Sequence, residues 1–146
     1  KFSDKEGALW HRMGDLGYLD EDKNLWFCGR AVHCLQQEGK SPLYSVPTEG
    51  VFNQHPEIKR TALISLDDPQ NPYGIVIERK DQKTYLSSNQ RDNFREEMFA
   101  LAQKGTHTKD IKRFFLHKSF PVDARHHIKI DRLKLGQHYS YHGREL

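Results

Sequence analysis

Apolar positions in this chain fall in short runs, each closed by a cluster of turn formers. Leu16 to Leu19 and Leu25 to Cys28 flank Asp20-Glu21-Asp22-Lys23-Asn24, a pattern that predicts a β-hairpin. A second hairpin is expected from Ala31 to Val46, with the polar stretch Gln36 to Pro42 as its loop. Pro47 fits the first turn of a helix, where its missing N–H costs nothing, with Ser45 or Val46 as the cap. That helix should end near His55-Pro56, because the residue before a proline is pushed out of the helical region.

Thr61 to Leu66 and Tyr73 to Glu78 are β-rich runs joined by the turn Asp67-Asp68-Pro69-Gln70-Asn71-Pro72, so they should pair antiparallel. Ser87 or Ser88 can cap a helix in which Phe94, Met98, Leu101 and Ala102 share one face, with Gly105 as its stop. Ile111 to Leu116 reads as a third strand and Phe120-Pro121 as a break. Ile128, Leu133 and Leu135 then fall at roughly helical spacing. The pattern predicts an α+β fold: a small, mostly antiparallel sheet flanked by helices and preceded by a β-hairpin.

Composition narrows this picture. With 146 residues, of which 36% are hydrophobic, the chain supports one modest core and a short appendage. No run reaches membrane-spanning length, so no membrane span is expected. The sequence starts at Lys1 without an initiator Met or an apolar leader, and it reads as a piece of something longer with no signal peptide. Cys28 and Cys34 form no CxxC pair or disulfide framework, which suits a cytoplasmic protein. Net charge is only +3, yet from Lys104 onward ten Lys and Arg face four Asp and Glu, so that end should favour an anionic partner.

Candidate chemistry concentrates in three stretches. The first runs from Trp10-His11-Arg12-Met13-Gly14-Asp15 through the hairpin to Gly29-Arg30. An aspartate can chelate vicinal hydroxyls, and an arginine can hold a phosphate or ribose oxygen with a fork of donors. Taken alone, Asp15 could equally cap a turn and Arg30 be a solvated edge residue. The second is Val46-Pro47-Thr48-Glu49, ending in Asn53-Gln54-His55-Pro56; a histidine at a helix C-terminus needs no catalytic role. Glu49 is expected to belong to the internal structure or to a domain contact. The third is Phe120-Pro121-Val122-Asp123-Ala124-Arg125-His126-His127-Ile128-Lys129-Ile130-Asp131-Arg132.

In this order the three stretches resemble the adenylate-forming superfamily of acyl-CoA synthetases, peptide-synthetase adenylation domains and luciferases. The resemblance implies a C-terminal lid domain over residues 31–146, with residues 1–30 as the terminal hairpin of a larger N-terminal domain. It implies that Asp15 binds the ribose hydroxyls of ATP, that Arg30 contacts the nucleotide, and that Val32 stands at the hinge. Lys129 would be the catalytic lysine that meets charge on the carboxylate and α-phosphate. ATP and Mg²⁺ would be bound mainly by the large domain, with a carboxylic acid as substrate and CoA as second substrate in thioester-forming members. A free-standing binding or regulatory module that kept the lid fold is the competing class.

The departures from the family pattern are specific. Ile128 replaces the usual glycine before the lysine, the loop from Pro121 to Lys129 is long, and Val32 replaces the Asp or Lys common at the hinge. Together with Phe27-Cys28-Gly29-Arg30 and Phe120-Pro121-Val122-Asp123, they resemble the olefin-biosynthesis branch. Its members are β-lactone synthetases, also called fatty acid CoA ligases, and the expected substrate is a fatty or β-hydroxy acid. No metal site is expected: His126 and His127 are adjacent on a loop with Asp123, and adjacent histidines rarely converge on one ion. Nucleic acid is not expected either, since no nucleic-acid-binding signature accompanies the basic end.

Overall fold

The apolar run around Ala62 and its partner around Val76 form the centre of the structure. The computed structural model describes residues 2–3, 5–37, 39–122 and 129–146. Strands β1 (Phe2–Ser3) and β2 (Leu9–Trp10) make a short antiparallel pair, and β3 (Asp15–Leu19) with β4 (Leu25–Arg30) makes the first expected hairpin. A 3-10 turn over Ala31–His33 leads to β5 (Leu35–Gln37), β6 (Lys40–Leu43) and helix α1 (Ser45–Phe52). Strands β7 (Ile58–Ser65) and β8 (Tyr73–Arg79), helix α2 (Ser88–Ala102), strand β9 (Arg113–His117) and helix α3 (Arg132–Tyr141) follow.

Strands β7, β8 and β9 form one sheet in that order, β7 antiparallel to β8 and β9 parallel to it. A parallel neighbour needs a crossover, and α2 supplies it. Alternate residues feed two cores. Leu63, Ile75, Ile77 and Phe114 pack with Phe52 of α1 and with Phe94, Met98 and Leu101 of α2. On the opposite face Ala62, Ile64, Val76 and Phe115 pack with Leu135 and Tyr139 of α3. Burial on both faces explains why these strands read as continuous apolar runs without alternation. Each fully buried Leu or Ile here contributes about 1.5–3 kcal/mol relative to exposure.

Several boundaries differ from the expectation. The second hairpin is confined to β5 and β6, and most of the expected Gln36-to-Pro42 loop is strand; Pro42 is tolerated because its two-stranded sheet leaves an open edge. Helix α1 starts at Ser45 with extended Tyr44 as its cap, makes no side-chain cap bond, and stops at Phe52 before His55. Helix α2 is capped by Ser87, whose side chain and that of Gln90 form a reciprocal capping box; it ends at Ala102, before Gly105. Helix α3 begins at Arg132, because Asp131 accepts from Lys134 N–H as a cap, and Leu133 points to solvent. Among the described residues, no helix is long and apolar enough to cross a membrane.

Candidate functional site

Strands β3 and β4 set Asp15 directly opposite Arg30, with Arg30 Nε 3.1 Å from Asp15 Oδ1. This is an ion pair without hydrogen-bond alignment: the buried Nε has no acceptor in bonding geometry, while Nη2 donates to the Met13 carbonyl at 2.9 Å. Partly exposed pairs of this kind contribute about 0–1 kcal/mol, so exchanging the contact for a ligand costs little. Gly14 sits at φ 79° and accepts from Ala31 N–H at 2.8 Å, closing the chain around the pair. Cys28 is the extra residue of a bulge between Phe27 and Gly29. At the far end Asp20 accepts from Asn24 N–H at 2.8 Å and from Trp26 Nε1 at 2.7 Å, which holds its carboxyl below the usual range. Leu19, Leu25, Trp26 and Phe27 are largely exposed, an apolar surface of the kind that marks a contact face.

Val32 is 82% exposed at the middle of the 3-10 turn, between extended residues Arg30 and Cys34. Its neighbour His33 is partly buried and lies beside Arg132, the last residue of the Lys129-Ile130-Asp131-Arg132 stretch.

The lysine loop is tied at its base. Val122 and Ile130 form a β-bridge, Asp131 N–H donates to the Pro121 carbonyl at 2.9 Å, and Phe120 N–H donates to Glu78 Oε2 at 2.9 Å. The Glu78 side chain has no exposed surface and also accepts from Lys59 Nζ at 2.7 Å and Arg60 Nε at 2.9 Å. Lys129 stands exposed on a bend with no ion pair among the described residues. Ile128, Asp123, His126 and His127 lie outside the described residues; among those described, no group of three His, Cys, Asp or Glu could hold a metal ion.

Arg132 makes a two-pronged pair with Glu49 of α1: Nη2 donates at 2.8 and 3.0 Å to the two carboxylate oxygens, and Nε donates at 3.1 Å. Glu49 also accepts from Leu63 N–H at 2.9 Å, which joins α1 to β7. Burial pushes the Glu49 carboxyl above its ordinary range, against the pull of Arg132 and the Leu63 N–H. Arg132 Nη1 lies 3.4 Å from His33 Nδ1. Because a guanidinium only donates, that nitrogen must be the acceptor of a neutral ring. Burial, then Arg132 and Arg30, lower the His33 pKa and favour that state. A groove of about 620 Å³, lined by Val32, His33, Ile64, Leu66, Leu133 and Tyr141 among others, opens beside this junction.

The residues singled out from sequence therefore fall in two groups, the Asp15–Arg30 pair and the Lys129 stretch, and His33 lies near an arginine of each, Arg30 and Arg132. Sequence reasoning missed Arg132 and His33, and it left Glu49 without a partner. The available signal was a carboxylate on the buried face of a helix, which requires a cation.

Solved structures share this arrangement of elements. They include an amide bond synthetase from Marinactinospora thermotolerans (TM-score 0.69, 22% identity, 89% of this chain and 25% of that one). Another is the O-succinylbenzoate coenzyme A synthetase of Bacillus subtilis in complex with AMP (TM-score 0.66, 22% identity, 91% and 25%). No family model matches the chain. The chain belongs to the adenylate-forming ligases and corresponds to their C-terminal domain. Among curated relatives, it is 39% identical over 136 residues to the olefin beta-lactone synthetase of Xanthomonas campestris pv. campestris, and 35% identical over 135 residues to that of Stenotrophomonas maltophilia. Each alignment covers 91% of this chain and 23% of the relative, so the chain spans about a quarter of the length of these proteins.

Proposed function

We propose that this chain is the lid of a cytoplasmic ATP-dependent ligase that converts a fatty or β-hydroxy carboxylic acid to its acyl-adenylate, and that Lys129 is its catalytic lysine. In this reading residues 1–30 close the large domain, residues 31–146 form the lid, and Val32 is the hinge. The observation that carries it is Lys129, an exposed ammonium with no ion pair among the described residues, beside a loop base braced by Glu78 and, through Arg132, by Glu49. The exposed apolar face of β3–β4 supports a preceding domain packed against the hairpin. In this reading ATP and Mg²⁺ are held mainly by the large domain.

The substrate carboxylate attacks the α-phosphate of ATP, and pyrophosphate leaves. Negative charge gathers on the entering and departing oxygens, where a compact ammonium on a flexible stem meets both. Asp15 accepts from the ribose hydroxyls, giving up a weak contact with Arg30, and the freed guanidinium turns to the nucleotide. The acyl group then passes to the substrate's own β-hydroxyl or to the thiol of CoA, with AMP leaving, after a lid movement about Val32.

The test is Lys129→Ala in the full-length protein. Adenylation should fall by about 10²–10³ with ATP and acid affinities nearly unchanged, while Lys134→Ala stays near normal. Near-normal adenylation by Lys129→Ala, or a damaging Lys134→Ala, refutes the assignment.

A further inference from the structure

We infer that Arg132 is a positioning residue for Lys129, gripping α1 through Glu49 and the end of the Ala31–His33 turn through His33, so that the stem of the lysine loop is held in one place on the lid. The inference rests on the reading of Lys129 given above.

Three features carry it. Arg132 is the first residue of α3, directly after the Asp131 cap and the Ile130 bridge, so whatever holds its guanidinium fixes the stem of the lysine loop. Its two-pronged engagement of Glu49 defines a direction as well as a distance, which a point charge would not. Glu49 is itself pinned by Leu63 N–H, so the loop is referenced to the central sheet. The third donor direction leaves this frame for His33, one residue beyond Val32. His33 follows the hinge residue Val32 and moves with the lid, so its contact with Arg132 ties the first lid residues to the stem of the lysine loop. The arrangement therefore fixes, within the lid, the side chain that must be in place for one half-reaction only.

A purely structural ion pair would behave differently. Buried pairs can often be replaced by apolar residues with little loss of stability, and such a replacement would spare both half-reactions if Glu49 and Arg132 only held the fold. In the full-length protein, acyl-adenylate formation and the consumption of preformed acyl-adenylate are measured separately. Arg132→Lys, which keeps the charge and loses the fork, is expected to slow adenylation by about 10²-fold, the cost of a roughly 1 Å misplacement. The KM for ATP and consumption of preformed adenylate should hardly change. His33→Phe, which keeps the ring and removes the acceptor, should slow the same half-reaction by a smaller factor. In a Lys129→Ala background, Arg132→Lys should add almost nothing.

Equal losses in both half-reactions, or full additivity with Lys129→Ala, would reduce Arg132 to a fold-stabilising residue. If Lys129→Ala is impaired and Arg132→Lys is normal, this inference alone falls. If Lys129→Ala is itself normal, the functional reading falls and this inference with it.

Discussion

Replacing Glu78 by Gln tests how the lysine loop is held. The carboxylate has no exposed surface and receives Lys59 Nζ at 2.7 Å, Arg60 Nη2 at 2.8 Å and Nε at 2.9 Å, and Phe120 N–H at 2.9 Å. Charge-assisted bonds of this type are each worth about 1.5–3 kcal/mol, but the sum is not lost. Lys59 and Arg60 are 50% and 30% exposed and can turn to water, and glutamine keeps one carbonyl acceptor. We therefore expect a loss of about 2–3 kcal/mol, below the 3–5 kcal/mol seen when a partner charge is left buried. Burial alone would raise the Glu78 pKa; Lys59, Phe120 N–H and Arg60 outweigh it and hold the carboxyl below its ordinary 4.5. A depressed carboxyl stabilises the fold above the ordinary pKa and loses that contribution as pH falls through the folded value. Urea unfolding should separate wild type from variant at pH 7, and the gap should shrink on acidification below about pH 4.5. Hydrogen exchange at the Phe120 amide should accelerate in the variant. Coincident urea transitions at pH 7, or an unchanged Phe120 amide, would refute the clamp.

Asp15→Ala should weaken ATP binding by about 1.5–3 kcal/mol, roughly 10- to 100-fold in Kd, because the ribose hydroxyls lose a charged acceptor; isothermal titration of the full-length protein checks it, and unchanged affinity removes Asp15 from the nucleotide site. Ser87→Ala should cost about 1 kcal/mol by opening the capping box at the start of α2, read as faster exchange of amides in its first turn. An unchanged exchange rate there would mean the cap contributes nothing.

Elements with a local cause were legible in the sequence. The β3–β4 hairpin follows from the Asp20-to-Asn24 turn, in which the Asp20 side chain makes the closing bonds. The α2 start follows from Ser87 and Gln90, and its core face from the positions of Phe94, Met98 and Leu101. Elements set by tertiary contacts were not. A strand's periodicity carries no direction, so nothing in Arg113 to His117 announced a parallel neighbour. The helical spacing of Ile128, Leu133 and Leu135 did not announce that Ile130 bridges Val122 and that Asp131 then caps α3. Leu133 fitted an apolar spacing yet lies at the mouth of the groove beside Val32.

The site divides the same way. Asp15, Arg30 and Lys129 were singled out because three motifs occur in family order, and their individual side chains would have supported solvated roles just as well. The Glu49–Arg132 pair spans 83 positions, beyond any local periodicity. Its logic is nonetheless physical: the buried face of α1 carries Ser45, Thr48, Glu49 and Phe52, and a carboxylate there must neutralise or find a cation. The Leu63 N–H uses one oxygen, leaving a site whose remaining geometry suits a fork. Arg132, arriving from outside both α1 and the sheet, fills it at the end of the segment that carries Lys129. The demand for charge at one buried position thereby fixes where an exposed charge three residues away can stand.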